Sequence, residues 1–210
     1  MKIDTPPERR DPIREALIDL CFEVGLEKVT IDSLCERAGV SSDEFGRRYA
    51  DLEDCFFDVY SQEFDRYQRR AEAARAGLVA WRDRLRATAY ALLRYLAEDE
   101  RVTHLSVVEV RRAGDRSTLL IAQGIEEIID LLDEGRQEPG APENLTRATA
   151  ESLAGGLFNQ LYLAVAVGEG EALPESEIVP QAMYTVLLPY VGVQEAMTEL
   201  EIPPPSPLDA

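Results

Sequence analysis

The residue types best placed to do chemistry lie between Thr30 and Tyr49. Thr30, Ser41, Ser42 and Tyr49 offer hydroxyls that can donate to phosphate oxygens, and Arg47 and Arg48 add two guanidinium groups. A guanidinium can pair bidentately with the edge of guanine as well as with a phosphate. This set suits recognition of a nucleic-acid duplex rather than bond-making. Arg9, Arg10 and Arg14 before it, with Lys28 beside it, can join Arg47 and Arg48 in one local positive strip. Summed charge opposes that reading. The chain carries −18 overall, and residues 1–60 hold eight basic against fifteen acidic side chains. A nucleic-acid-binding module usually shows a basic footprint, so the placement of a few cations has to outweigh the total.

Catalytic arrangements are missing. The sequence has no GxSxG, P-loop, GxGxxG or HExxH, and its single histidine, His104, rules out multi-histidine metal sites. Cys21, Cys35 and Cys55 form no CxxC, and each falls on an apolar helical face, as reduced core thiols do. No catalytic residue, metal or cofactor is expected, and the chain is not read as an enzyme.

Three short helical patterns must position the hydroxyls and arginines. The first places Ile13, Ala16, Leu17, Leu20, Cys21 and Val24 on one face at offsets of three and four. Asp11 is its N-cap, Pro12 takes the first position where its missing N–H costs nothing, and Gly25 ends it. The second is capped by Thr30 and buries Ile31, Leu34, Cys35 and Ala38, after which Gly39 and Val40 make a tight turn. Ser41 and Glu44 then form the S-x-x-E capping box of a third helix running to about Tyr49. Asp51 caps a fourth helix that extends toward Arg75. The pattern is a helix-turn-helix with its recognition helix at about residues 41–49.

The stretch ALIDLCFEVGLEKVTIDSLCERAGVSSDEFGRRYADLEDCFFDVY resembles the TetR family of bacterial transcription regulators. The likeness is carried by Gly25, Thr30-Ile31-Asp32, Ala38-Gly39-Val40-Ser41, Phe45, Tyr49, and Asp51 with Glu53, over about fifty residues. Ser42, Asp43, Glu44 and Gly46 depart from the small or basic, threonine and aromatic residues usual on the exposed face of the third helix. Leu52 stands where a phosphate-binding lysine is common. Gly46 also lowers helix propensity by roughly 1 kcal/mol relative to alanine.

The resemblance implies an all-α fold. Residues 1–60 would form the three-helix helix-turn-helix DNA-binding domain, and residues 61–202 an all-helical ligand-binding and dimerisation domain. The proline-rich tail, 203–210, is expected to be disordered. It further implies a homodimer that binds double-stranded operator DNA as a ligand-responsive regulator, in the sense of a repressor, with an unknown small-molecule effector. Thr30, Ser41, Ser42, Arg47, Arg48 and Tyr49 would be the DNA contacts. The alternative is a TetR-like protein with weakened DNA binding that acts through a protein partner, which Asp43, Glu44, Gly46 and Leu52 favour.

Beyond residue 75 the periodicity predicts five helices: Trp81 to about Glu98, Val102–Arg112, Ser117–Glu134, Glu143–Val167 and Ile178–Leu200. Leu85, Ala89, Leu92, Leu93 and Leu96 form the buried side of the first, and Leu120, Ile121, Ile125, Ile128, Ile129 and Leu132 that of the third. Pro189 is expected to kink the last, because the bond to the carbonyl of Thr185 is lost. EPGAPEN and GEGEALPE read as loops. Ala148, Ser152, Gly155 and Gly156 make a small-residue row, and Ile178, Ala182, Met183, Val186, Leu187 and Tyr190 a stripe. Either both helices are buried within one chain, or they form the four-helix homodimer interface that the family implies, through residues 143–167 and 176–199. The family also implies a pocket, for which Trp81, Tyr90, Tyr95, His104, Val108, Phe158 and Tyr162 offer rings and polar handles. No apolar run is long enough for a membrane span, and the first twelve residues lack a signal peptide's apolar core. A cytoplasmic location with no membrane partner is expected.

Overall fold

The computed structural model describes residues 11–167 and 174–205, apart from the side chains at 115–118 and 120. Helix α1 spans Pro12–Val24, α2 Ile31–Ala38, α3 Ser42–Gly46 and α4 Leu52–Arg75. Helix α5 spans Trp81–Ala97, α6 Glu100–Val107, α7 Asp115–Asp133, α8 Arg147–Val167 and α9 Glu175–Met197. No strand occurs among the described residues. Arg9, Arg10, the loop segment 168–173, the tail residues 206–210 and the side chain of Leu120 lie outside the described set.

The expected caps form as the residue types dictate. The Asp11 carboxylate accepts from the N–H of Ile13 at 3.1 Å, with Pro12 opening α1. Thr30 and Ser33 exchange bonds across the first turn of α2, and Ser41 and Glu44 do the same in α3. Asp51 accepts from the N–H of Asp54 at 2.8 Å and starts α4. Gly39 sits at φ 67°, ψ 31°, a left-handed conformation that a Cβ would strain.

Several features differ from expectation, among them the start of α8 at Arg147 rather than Glu143 and the span of α9, Glu175–Met197 rather than Ile178–Leu200. Helix α3 stops at Gly46 rather than near Tyr49, since Gly46 weakens the helix and Arg47 already sits at its C-cap. The element expected over 102–112 is a shorter α6 followed by a 3-10 turn, Glu109–Arg112, and Asp99 rather than a later residue caps it. Helix α9 accommodates Pro180 and Pro189, and its backbone leaves helical geometry at Gly192, φ 79° and ψ 172°, not at Pro189. A glycine tolerates that conformation where the residues around Pro189 would not. In the proline-rich tail, the Pro205 carbonyl accepts from Arg94 at 3.0 Å, so the described start of that segment is held.

Two cores result. One joins Ile13, Leu17, Leu34, Phe45 and Phe56 of the first four helices to Leu105 and Val110 near α6. α4 runs unbroken through residue 60, so the helix-turn-helix shares this core with the helical body. Cys21 and Cys55 lie in it fully buried, and burial pushes both thiols up to about 12. The other core gathers α5, the end of α7, α8 and α9 around Trp81, Leu132, Leu187 and Tyr190. There the Trp81 indole donates to the Leu131 carbonyl at 2.7 Å and meets Tyr190 edge-on at 5.3 Å.

Gly135 makes that ring pair possible. A Cβ at this position would collide with the Trp81 ring and approach Tyr190 to 2.9 Å. Gly135→Ala is expected to cost about 1–3 kcal/mol by overpacking. Denaturant unfolding of the variant checks this, and an unchanged midpoint would refute the packing account.

Candidate nucleic-acid and effector sites

The turn between α2 and α3 presents a small polar surface. Thr30, Ser41, Ser42, Asp43, Glu44 and Arg47 are all exposed around it. Glu44 is held back against its own helix: its carboxylate accepts from the Ser41 N–H at 2.8 Å and hydroxyl at 3.0 Å. These bonds keep the Glu44 carboxyl below the usual carboxylate range. Arg47 makes no ion pair with the described residues, and Lys28 is likewise exposed and unpaired among them.

The other expected cations do different work. Arg14 is buried in α1, where its Nε donates to Glu63 of α4 at 2.9 Å, and Tyr95 of α5 donates to the same carboxylate at 2.7 Å. It belongs to the core, not to a surface strip, because Glu63 and the neighbouring Glu15 claim its guanidinium there. Arg48 turns back to the α1 N-cap and pairs with both oxygens of Asp11. That pairing lowers the Asp11 carboxyl below its ordinary value and raises the Arg48 guanidinium above its own. Tyr49 is buried, and its hydroxyl donates to Asp58 of α4 at 2.7 Å. Arg48 and Tyr49, read from the sequence as DNA contacts, therefore anchor the end of α3 to α1 and α4.

The joint between the helix-turn-helix and the α6 region rests on Glu109, a residue with no solvent exposure. Its carboxylate accepts from the Leu26 N–H, just after α1, at 2.8 Å. Arg112 donates to it at 2.9 Å, and the His104 Nε2 lies 3.1 Å away. His104 also meets Phe22 of α1 edge-on at 5.7 Å. Sequence reasoning passed over Glu109, although a single charge inside the apolar run SVVEV signals a satisfied buried carboxylate.

An apolar cavity of about 550 Å³ opens between α5, α7, α8 and α9. Its floor is buried, with Leu85, Leu93, Leu131, Ala154, Met183 and Val186, and its rim carries the exposed Gln160, Ala164, Glu177 and Gln181. Among the expected pocket residues, Phe158 lines this cavity. Tyr95 and Phe158 share a smaller neighbouring void of about 80 Å³. Trp81 and Tyr90 are packed into the second core, and Val108 is buried away from the cavity. His104 attends Glu109, and Tyr162 stacks under Arg111 at 4.1 Å. The walls come instead from α5 and α9 residues whose helical spacing reads as ordinary core.

No family model and no curated protein sequence matches the chain. Solved structures do match in fold. The transcriptional regulator FadR from Bacillus subtilis, in complex with stearoyl-CoA, superposes with a TM-score of 0.69 at 16% identity, over 86% of this chain and 97% of its own. A regulatory protein in the TetR family from Rhodococcus RHA1 gives 0.67 at 15% identity, over 85% and 95%. The ketosteroid transcriptional regulator KstR2 of Mycobacterium tuberculosis gives 0.64 at 17% identity, over 87% and 95%.

If Glu109 holds the joint, Glu109→Ala should cost roughly 1–3 kcal/mol by orphaning the buried Leu26 N–H. Glu109→Gln, which keeps an acceptor, should cost less. Native-state hydrogen exchange at Leu26 reads the same event, and protection unchanged in the alanine variant would refute it. With its helix-turn-helix set on a helical body that encloses an apolar cavity, the chain has the fold of the TetR-family transcriptional regulators.

Proposed function

We propose that the chain is a ligand-responsive transcriptional regulator that binds operator DNA as a homodimer and acts as a repressor. The observation that carries this reading is the direct bond between the cavity-bearing body and the helix-turn-helix, from Glu109 to the Leu26 N–H. A regulator needs such a joint for an effector to reach DNA. In this reading residues 1–60 are the DNA-binding domain and residues 61–202 the regulatory and dimerisation domain, without enzymatic activity, in the cytoplasm. No helix among the described residues is long and apolar enough to cross a membrane.

Thr30, Ser41, Ser42 and Arg47 are the DNA contacts, with Lys28 added from the turn before α2. Supporting the assignment, they are exposed around one turn. Arg48 and Tyr49 act indirectly, by fixing the pose of α3. Two half-sites about one helical turn of DNA apart require a symmetric dimer. Its interface is assigned to residues 143–167 and 176–199. Gly155, Gly156, Leu163 and Val167 of α8 and Val193 and Met197 of α9 are exposed, which supports that assignment. The effector is a small molecule, by analogy with the stearoyl-CoA held by the Bacillus subtilis FadR.

A second reading is favoured by one specific observation. Asp43 and Glu44 are exposed on α3 while Arg48 is committed to Asp11. A TetR-like protein so arranged binds DNA weakly and acts through a protein partner.

A mobility-shift assay on DNA flanking the coding region separates the two readings. Arg47→Ala should cost roughly 1–3 kcal/mol of operator affinity with the fold intact. Arg48→Ala should lower thermal stability as well, through loss of the Asp11 pairing. An unshifted DNA panel at low salt favours the protein-partner reading. For the assembly, Gly156→Leu is expected to weaken the dimer by about 1–3 kcal/mol. A stable wild-type monomer in micromolar sedimentation runs would rule the interface out.

A further inference from the structure

The apolar cavity makes a statement about charge as well as size. About 550 Å³ lies within the range of roughly 300–1,000 Å³ typical of small-ligand sites. Among the described residues, no arginine, lysine or histidine lines it. The hydroxyls of Thr88 and Thr185 are turned back onto their own helices, donating to Arg84 and Gln181 carbonyls at 2.8 and 2.9 Å. The polar groups left to meet a ligand are the Tyr67 ring hydroxyl and, on a rim that is exposed in the single chain and falls within the stretches assigned to the dimer interface, the Gln160 and Gln181 amides and the Glu177 carboxylate. Glu175, two residues before Glu177, is already neutralised by Arg94 at 2.9 Å, whereas Glu177 has no ion pair with the described residues. A buried hydrocarbon floor thus leads to a rim whose one formal charge among the described residues is negative, on a chain of net charge −18.

We propose that this cavity takes a molecule with a long hydrocarbon body and a cationic head group, and that it rejects acyl-CoA and other anionic amphiphiles. The inference rests on the effector reading above and specifies its ligand class. The hydrocarbon is desolvated against Leu85, Leu93, Met183 and Val186, and the head group stays at the rim beside Glu177. An ammonium there donates to the carboxylate and to the carboxamide oxygens of Gln160 and Gln181. A thioester carrying several phosphates would place its charge against the rim carboxylate, with no cation among the described lining residues to receive it. The larger charged cleft of about 660 Å³ between α1, α4 and α5 is no substitute, because its arginines are interleaved with carboxylates such as Glu63, Glu98 and Asp99.

Calorimetric titration of the full chain with dodecylamine, dodecanol, dodecanoate and dodecanoyl-CoA, each below its micelle concentration at pH 7, tests this. Dodecylamine should bind at least about tenfold more tightly than dodecanoate, as one rim charge acting with opposite signs on the two heads requires, with dodecanol between them. Dodecanoyl-CoA should not bind. Glu177→Gln should abolish the difference between amine and carboxylate and leave dodecanol unchanged, and Ala164→Phe, on the exposed wall, should weaken all three. Dodecanoate or dodecanoyl-CoA binding as tightly as dodecylamine would overturn the proposal. So would binding that appears only in the Gly156→Leu variant, since a second copy of the chain would then be the occupant, and so would no binding by any probe. Selective amine binding without release of operator DNA would uphold the ligand class and count against the regulatory reading alone.

Discussion

A fully buried carboxylate can persist only if donors surround it, and Glu109 sets that condition for the whole molecule. Its partners come from both sides of the joint: the Leu26 N–H from the helix-turn-helix, and Arg112 and His104 from the body. Removing either side would strand a charge in an apolar run, at several kcal/mol for an unpaired buried ion. The helix-turn-helix is therefore keyed to the α6 region in one register. Arg14, Glu63 and Tyr95 form a second buried polar cluster that ties α1, α4 and α5 in the same way. Apolar packing of Leu17, Leu34 and Phe56 provides the bulk of the attraction, but it is non-directional. The two carboxylates select the geometry.

Charge is distributed so that cations are mostly consumed internally. Arg37 pairs with Glu23, Arg101 with Asp19 and Asp99, Arg86 with Glu199, and Arg48 with Asp11. Such pairs add little stability where they are exposed, typically about 0–1 kcal/mol each. Their larger consequence is subtraction, because each paired arginine is withdrawn from any phosphate-binding surface. Around α2 and α3 this leaves Lys28 and Arg47 among the described residues. On the DNA-binding reading proposed above, two such cations among the described residues would contribute less salt dependence than a strongly basic module does.

The elements were legible where a local rule fixes them. Asp11-Pro12, Thr30, Ser41 with Glu44, and Asp51 each satisfy orphan N–H groups within three residues, so the sequence alone places those helix starts. Side-chain roles were less legible because they depend on distant partners. Arg14 reads as a surface cation until Glu63, forty-nine residues away, is seen beside it. Arg48 reads as a DNA contact until Asp11 claims it. The cavity is the hardest case. Leu85, Ala89, Ile178 and Ala182 recur at the same spacing whether a helix packs against its neighbour or stands off it. Periodicity reports which face is apolar, while the separation of α8 from α9 decides whether that face meets side chains or empty space. Aromatic residues were a misleading guide, since Trp81 and Tyr90 fill space and do not border it.

Coupling between cavity and helix-turn-helix needs a structural element that both contact. Helix α8 meets this requirement. Leu161 lines the cavity and also packs, with Tyr162 and Val165, against the core that contains α1, α4 and α6. From α8 the contact passes to α6, and from α6 through Glu109 to Leu26. Helix α9 closes the other side of the cavity, and its backbone approaches that of α8 only sparingly. A ligand shifts an equilibrium between two separations of these helices only by its differential affinity for them. A ligand body that spans from α5 and α9 to Leu161 satisfies that condition. A molecule held at the rim alone shifts the equilibrium only so far as its contacts to Gln160 of α8 and to Glu177 and Gln181 of α9 differ between the two separations.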